Sequence, residues 1–397
     1  MKLKTRPEDF VVDESADFTP DPAGAHFVYE LTKRSVATLE ALSILARRNK
    51  LRATELSAAG LKDKHGLTRQ LFSSARPLKS DTGDERLELR FVGKARAPLT
   101  AAIILGNRFR IVMRNLSPAE QAVLAANAEE IQQAGVPNYY DNQRFGGIAH
   151  GQGFIAKALA RGDCEEAVRL HLAAPHRKQS MRDKTNRRLA IEHWGDWATL
   201  YDRMTRSPER ALVAYLQEHP GDWAGCFERI TPALRTLFVA AYQSFLFNRV
   251  LTSVIAAACP EHEWLHNRSG ELAFHRRLPA QDLRELELPL LGASTRLAEY
   301  PAVGTHVEAV LALEGVSLEQ LRLAGLQRTR FKAASRKALM TPGGFKMELP
   351  QADDLNEGRA KVTVCFDLPR GSFATIVTRR LVLGAQRPAD QSGGSES

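Results

Sequence analysis

Three features of this 397-residue chain predict an α+β fold in which one domain interrupts another. Residues 1–150 switch between strand-like and helical patterns. From about 155 to 330 the sequence turns helix-rich. Apolar alternation then returns between Val362 and Val377. Strands at both ends around a helical middle describe a sheet domain carrying an insertion. The expected pieces are 1–154 and 336–385 for the sheet domain and 155–335 for the inserted one. The remainder, 386–397, includes the Ser/Gly-rich Gln391–Ser397 and reads as a disordered tail.

The elements follow in order. Phe27, Tyr29 and Leu31 alternate with His26, Val28 and Glu30, the period of a half-buried strand. Val36, Leu39, Leu42 and Leu45 recur at helical spacing, and Arg47, Arg48 and Lys50 gather at the end where the helix dipole favours cations. Arg86–Val92 and Arg108–Arg114 alternate again. In the second of these, Phe109, Ile111 and Met113 share one face and Arg108, Arg110 and Arg114 the other. That positive face suits either a phosphate backbone or plain water. Ser117-Pro118-Ala119-Glu120 supplies a cap, a proline at the first helical position and the glutamate of a capping box; Gly135 supplies the stop. Residues 136–147 are aromatic and amide-rich, and read as a loop of the kind that carries functional groups. The stretch Arg177–Arg188 sets six Lys/Arg against one Asp. Thr231-Pro232 opens a long helix through Phe238, Ala241, Phe245 and Val250. Val362–Leu368 and Phe373–Val377, joined by Pro369-Arg370-Gly371, read as a β-hairpin.

Composition narrows the partner and the compartment. The 55 Lys+Arg against 46 Asp+Glu leave +9, which points to a polyanionic partner, with nucleic acid first. Cys164, Cys226, Cys259 and Cys365 form no C-x-x-C pair, which argues against a zinc ribbon or a disulfide framework and for a reducing, cytoplasmic setting. Met1–Glu8 lacks the apolar core of a secretory signal. Thr236–Ala258 is the most apolar stretch, but Gln243, Ser244, Asn248 and Arg249 interrupt it. It reads as a buried helix, not a membrane span.

The segment Gly60-Leu61-Lys62-Asp63-Lys64-His65-Gly66-Leu67-Thr68-Arg69-Gln70 carries the most chemistry. Gly60 and Gly66 permit a tight backbone path, and the lysines flanking Asp63 would favour its ionised form. An ionised carboxylate among cations suits a nucleophile facing an electron-poor carbon in an anionic substrate. The same run is also what a solvated surface turn looks like. A competing motif is His262-Glu263-Trp264-Leu265-His266, which matches H-E-x-x-H, the zinc-hydrolase signature. That motif requires a helix, whereas Pro260 precedes it and Asn267-Arg268-Ser269-Gly270 follows like a turn. No P-loop, dinucleotide fingerprint or G-x-S-x-G elbow is present.

Four blocks occur in sequence: Pro7-Glu8-Asp9-Phe10-Val11-Val12, the Gly60–Gln70 segment, Asn138-Tyr139-Tyr140-Asp141-Asn142-Gln143-Arg144-Phe145-Gly146, and Leu368-Pro369-Arg370-Gly371-Ser372-Phe373-Ala374-Thr375. Together they resemble the TruD family of pseudouridine synthases over residues 1–150 and 360–380. The helix around Ser244–Asn248 is also similar, and the rest of the middle matches loosely. The resemblance implies a pseudouridine-synthase catalytic domain with a mixed, mostly antiparallel sheet, interrupted by a helix-rich α+β domain. It implies an isomerase that converts the uridine at position 13 in the D-arm of tRNA, with tRNA as the partner. Such a reaction has no redox change and no net hydrolysis, so no metal or other cofactor is expected, and a monomer is the default expectation. By the same resemblance Asp63 is the nucleophile and Lys4 and Phe10 belong to the active site. Asn138 contacts the target uracil and Tyr140 stacks on it. Two positions depart from the pattern. Tyr140 stands where bacterial relatives usually have phenylalanine, which keeps an aromatic face. Asp141 replaces a usual glycine, and its carboxylate beside RNA would be repulsive unless turned outward. A catalytically silent RNA-binding relative and a zinc hydrolase built on His262, Glu263 and His266 are the alternatives.

Overall fold

The computed structural model describes residues 1–145, 152–175, 180–277 and 283–385. Gly146 and Gly147 of the aromatic block, Arg177 and Lys178 of the basic stretch, and the tail 386–397 lie outside the described residues. The chain forms two compact units, Met1–Val136 with Met340–Ser397, and Pro137–Leu339. The crossings therefore fall at 136/137 and 339/340, where the sequence placed them at 154/155 and 335/336. The reason is local bonding. The Asn138 N–H donates to Ala338 O at 2.8 Å, and the Tyr140 N–H donates to Asn248 Oδ1 at 2.9 Å, so the aromatic block belongs with the second unit.

Among the described residues, the first unit is built on a nine-stranded sheet. Its main path runs Gly343–Met347, Ala360–Pro369, Ile104–Leu116, Phe10–Ala16, Leu67–Ser74, His26–Arg34, Leu87–Ala95. Phe10–Ala16 pairs in parallel with Leu67–Ser74, in the register Val11 to Leu67. The neighbouring pairings, with Ile104–Leu116 and between Leu67–Ser74 and His26–Arg34, are antiparallel. The helix Thr38–Arg48 covers one face, packing Ala41, Leu42 and Leu45 with Tyr29, Leu31 and Phe72. Full burial of such side chains contributes about 1.5–3 kcal/mol each. Val36 is buried ahead of that helix, while Leu39 is 63% exposed and does not join its apolar stripe. The helix Pro118–Ala134 begins with the anticipated reciprocal capping box of Ser117 and Glu120, a feature worth about 1 kcal/mol, and ends at Gly135 with φ 70°.

One sequence reading in this unit is corrected. Phe373–Val377 is not a second hairpin strand, because Ala374–Leu381 is a helix. Its buried Ala374, Val377, Thr378 and Leu381 recur at three- and four-residue intervals, a period that five residues of apparent alternation conceal. The arginine face of Ile104–Leu116 is exposed at Arg108 and Arg110 and buried at Arg114. Arg108 pairs with Asp367 at 3.0 Å, and the buried Arg114 meets Asp9, Asp353 and Asp354 at 2.7–2.9 Å.

In the second unit the helix Pro232–Ala258 starts where Thr231-Pro232 indicated. By length and composition it could cross a membrane, but 67% of its apolar window is buried, which marks a core helix. His262–Asn267 pairs antiparallel with Gly270–His275. The H-E-x-x-H letters therefore lie on a strand, where residues four apart stand about 13 Å from each other. Each polar group there has its own protein partner: His262 at Cys259 O, Glu263 at Arg276, His266 at Glu271. The zinc-hydrolase reading fails on this geometry.

Candidate active site

Parallel pairing decides which pre-strand segments meet. Residues before Phe10 and residues before Leu67 enter the sheet from the same end. His26–Arg34 runs antiparallel to Leu67–Ser74, so it finishes at that end, with Lys33 opposite Thr68 and Arg34 opposite Leu67. Lys4, Asp63 and Lys33 are gathered there by topology.

Lys4 Nζ donates to Asp63 Oδ2 at 3.3 Å, with the two side chains 26% and 32% exposed. The same ammonium sits 3.8 Å from the centroid of the Phe10 ring, a cation–π contact. Phe10 itself is only 2% exposed and abuts Phe109 edge-on, so it acts as a floor beneath Lys4. Lys4 holds φ 56°, a left-handed conformation uncommon outside glycine. Strained backbone of this kind clusters at functional sites. An ion pair this exposed contributes at most about 1 kcal/mol of stability. What it fixes is the placement of the carboxylate.

The flanking lysines behave differently from the expectation that they would sustain Asp63. Lys62 turns inward to Glu14 at 2.5 Å, a buried pair with side chains 7% and 1% exposed. Lys64 turns outward toward Glu40 at 3.8 Å. The backbone of the loop is held separately. Gln70 Nε2 donates to Gly60 O at 2.8 Å, the Lys62 N–H donates to Thr38 Oγ1 at 3.0 Å, and Lys33 Nζ donates to Asp63 O at 2.6 Å. A Cβ at Gly66 would lie 2.5 Å from Phe10 O, so this position admits only glycine.

Asn138 and Tyr140 lie together in the second unit, in a loop between Pro137 and Asn142. Asn248, on the long helix, clamps Tyr140 from both sides: its Oδ1 accepts from the Tyr140 N–H and its Nδ2 donates to Tyr140 O at 2.8 Å. Arg144 Nε donates to Ser244 Oγ at 3.0 Å, and Phe145 is buried; both brace the loop. Asp141 is turned into its own unit, at 3% exposure, and does not face solvent. Asn138 Nδ2 donates to Lys337 O at 3.1 Å while Arg336 donates to Asn138 Oδ1. The Arg336 guanidinium also lies 4.3 Å from the Tyr140 ring centroid, and burial lowers its pKa. In the basic stretch, Arg187 is spent on His171 O and Ala174 O, both at 2.7 Å, whereas Arg182, Lys184 and Arg188 are exposed.

Lys33, Glu14, Asn248 and Arg336 were not singled out in the sequence as site residues. Signals existed for two. Lys33 falls in phase with the apolar row Phe27, Tyr29, Leu31, and Asn248 is one of the polar residues that break the apolar stretch of the long helix.

A family model described as tRNA pseudouridine synthase D (TruD) matches residues 1–381. The chain belongs to the TruD family. It is therefore a pseudouridine synthase, and so an isomerase. Among similar proteins, a probable tRNA pseudouridine synthase D 2 of Methanocaldococcus jannaschii is 30% identical, over 97% of this chain and 92% of its own length. The tRNA pseudouridine synthase D of Aquifex aeolicus is 29% identical, over 96% and 98%. A crystal structure of a TruD protein from Methanosarcina mazei superposes with a TM-score of 0.70 at 27% identity, covering 96% of this chain and 93% of that one. The fold is thus the mixed-sheet α+β architecture that the resemblance implied.

Proposed function

We propose that this enzyme isomerises a uridine in the D-arm of tRNA, at position 13, with Asp63 as the nucleophile. The observation that carries the reading is the Lys4–Asp63 pair over Phe10: a carboxylate paired with the Lys4 ammonium, 32% exposed, on a loop whose backbone is fixed by neighbouring side chains. The reaction breaks the N1–C1′ bond of uridine and forms a C5–C1′ bond. The C5 proton is lost and N1 gains one, so no atoms or electrons are supplied from outside. Asp63 offers a carboxylate oxygen to an electron-poor carbon, C1′ of the ribose or C6 of the uracil, and is regenerated at the end. Lys4, donating to Oδ2 at 3.3 Å, keeps that carboxylate aimed. Taking the base from its stack costs a few kcal/mol in a duplex, and stacking on Tyr140 returns about 1–3 kcal/mol. Asn138 offers its amide to the uracil edge by exchanging the bonds it makes to Lys337 O and Arg336. Exposed Arg182, Lys184 and Arg188 are candidates for phosphate contacts, each expected to add about one unit to the salt slope of binding.

Mapping pseudouridine in tRNA from cells with and without the gene tests the assignment. Loss confined to position 13, restored by the wild-type gene and not by Asp63→Asn, is the expected result. An unchanged position 13 would remove the tRNA assignment. A wild-type protein that binds tRNA yet isomerises none would favour a binding-only protein.

A further inference from the structure

We propose that Lys33 is a positioning residue for the reaction: its buried ammonium anchors the backbone of Asp63 from beneath, so that Lys4 needs to orient only the side chain. The inference rests on the assignment of Asp63 as nucleophile and deepens it.

Lys33 is wholly buried, at 0% exposure, on the apolar row of its strand. A buried lysine costs several kcal/mol unless its protons find acceptors. Here they find carbonyl oxygens. Nζ donates to Val36 O at 2.8 Å and to Asp63 O at 2.6 Å, and lies 3.5 Å from Lys62 O. Two of the three carbonyls belong to the loop that carries the nucleophile. An apolar residue would fill the same space without that desolvation cost, so the charge is there for what it holds. Thr38 completes the cradle: its Oγ1 accepts from the Lys62 N–H and donates to Gln70 Oε1 at 2.9 Å.

The ionisable groups acting on Lys33 come from the same loop. Burial lowers its pKa to about 8, the Asp63 carboxylate pulls upward and Lys62 pushes downward. Those two are paired with Lys4 and Glu14. From the flanking strands, Thr68 and Leu87 stand opposite Lys33, and neither ionises. Glu40, on the helix above, faces Lys64. As pH rises through about 8 the folded protein loses this proton while the unfolded chain, at 10.5, keeps it. The unfolded state then binds more protons, so this group makes stability rise with pH. This group therefore contributes no destabilisation in that window.

The test compares wild type with Lys33→Met on a tRNA transcript, reading kcat and KM separately, together with amide hydrogen exchange over residues 60–66. We expect kcat to fall about 100-fold, as for displacement of a reacting group by about 1 Å, with KM within about threefold and faster exchange confined to that loop. A Met variant with wild-type kcat and unchanged exchange overturns the proposal. Should that variant fail to fold, the wild-type pH profile decides. The expected result is a kcat that declines from about pH 7.5 to about 9 with no parallel fall in melting temperature, and a flat kcat overturns the proposal. If wild-type enzyme produces no pseudouridine in tRNA, the functional assignment fails instead, and exchange over 60–66 still reads the anchor on its own.

Discussion

Two charge clusters stand close together in sequence at the N-terminal segment and are built to opposite ends. Arg114 joins Asp9 and Asp353 with all three side chains at most 6% exposed, and Asp354 closes the group from the surface. Asp63 pairs with Lys4 with about a third of its side chain left in solvent. The first cluster is dry and hydrogen-bonded on several sides, with the Asn115 N–H and Asn356 also donating to Asp353. It ties residues 6–9 to the strand behind them, and so fixes the segment from which Lys4 projects. In the second, rigidity resides in the loop backbone and the carboxylate stays accessible. Burial and saturation make a charge structural, while a fixed backbone with an exposed head leaves it able to react.

The comparison breaks first at Arg114. Arg114→Met leaves Asp9 and Asp353 buried without their cation, and should cost about 3–5 kcal/mol in denaturant unfolding. Activity per folded molecule should change far less. A variant as stable as wild type would contradict the structural role. Lys4→Gln should do the reverse: kcat falls about 100-fold while stability stays within about 1 kcal/mol, as measured by turnover and melting on one preparation. Tyr140→Leu removes the aromatic face and should weaken productive binding by about 1–3 kcal/mol, seen in kcat/KM on tRNA. The smallest effect is the acid limb of stability. Burial pushes Asp353 up, but the Leu355 and Asn115 N–H groups, Asn356 and Arg114 outweigh it and hold the carboxyl at about 2. A folded pKa below the unfolded 3.8 contributes stability that is complete above about pH 4 and lost as pH falls toward 2. Asp353→Asn should flatten that limb in acid titrations followed by circular dichroism.

How much of this was legible beforehand follows from what each signal measures. The capping box at Ser117, the start of the long helix at Pro232 and the strand at Phe27 depend on local chemistry, and the structure places them as read. Asp63, Lys4 and Phe10 were named from ordered motifs, but their meeting depends on a parallel pairing that no local pattern encodes. Long-range partners explain the errors. Arg114 looks like any outward arginine until Asp353, 239 residues away, closes over it. Lys62 looks like a companion of Asp63 until Glu14 takes it. Arg336 was invisible because a lone arginine in a polar stretch gives no sign that it will sit over Tyr140 and beside Asn138.

The most direct measurement is single-turnover pseudouridine formation by Asp63→Asn on a tRNA transcript, with melting temperature recorded alongside. Because about a third of the Asp63 side chain is in solvent and its pair with Lys4 is weak in energetic terms, the variant should fold like wild type and bind tRNA. Its rate should drop by about 10⁴-fold or more, as when a covalent nucleophile is removed. A well-folded Asp63→Asn enzyme that isomerises uridine within tenfold of the wild-type rate would contradict the account.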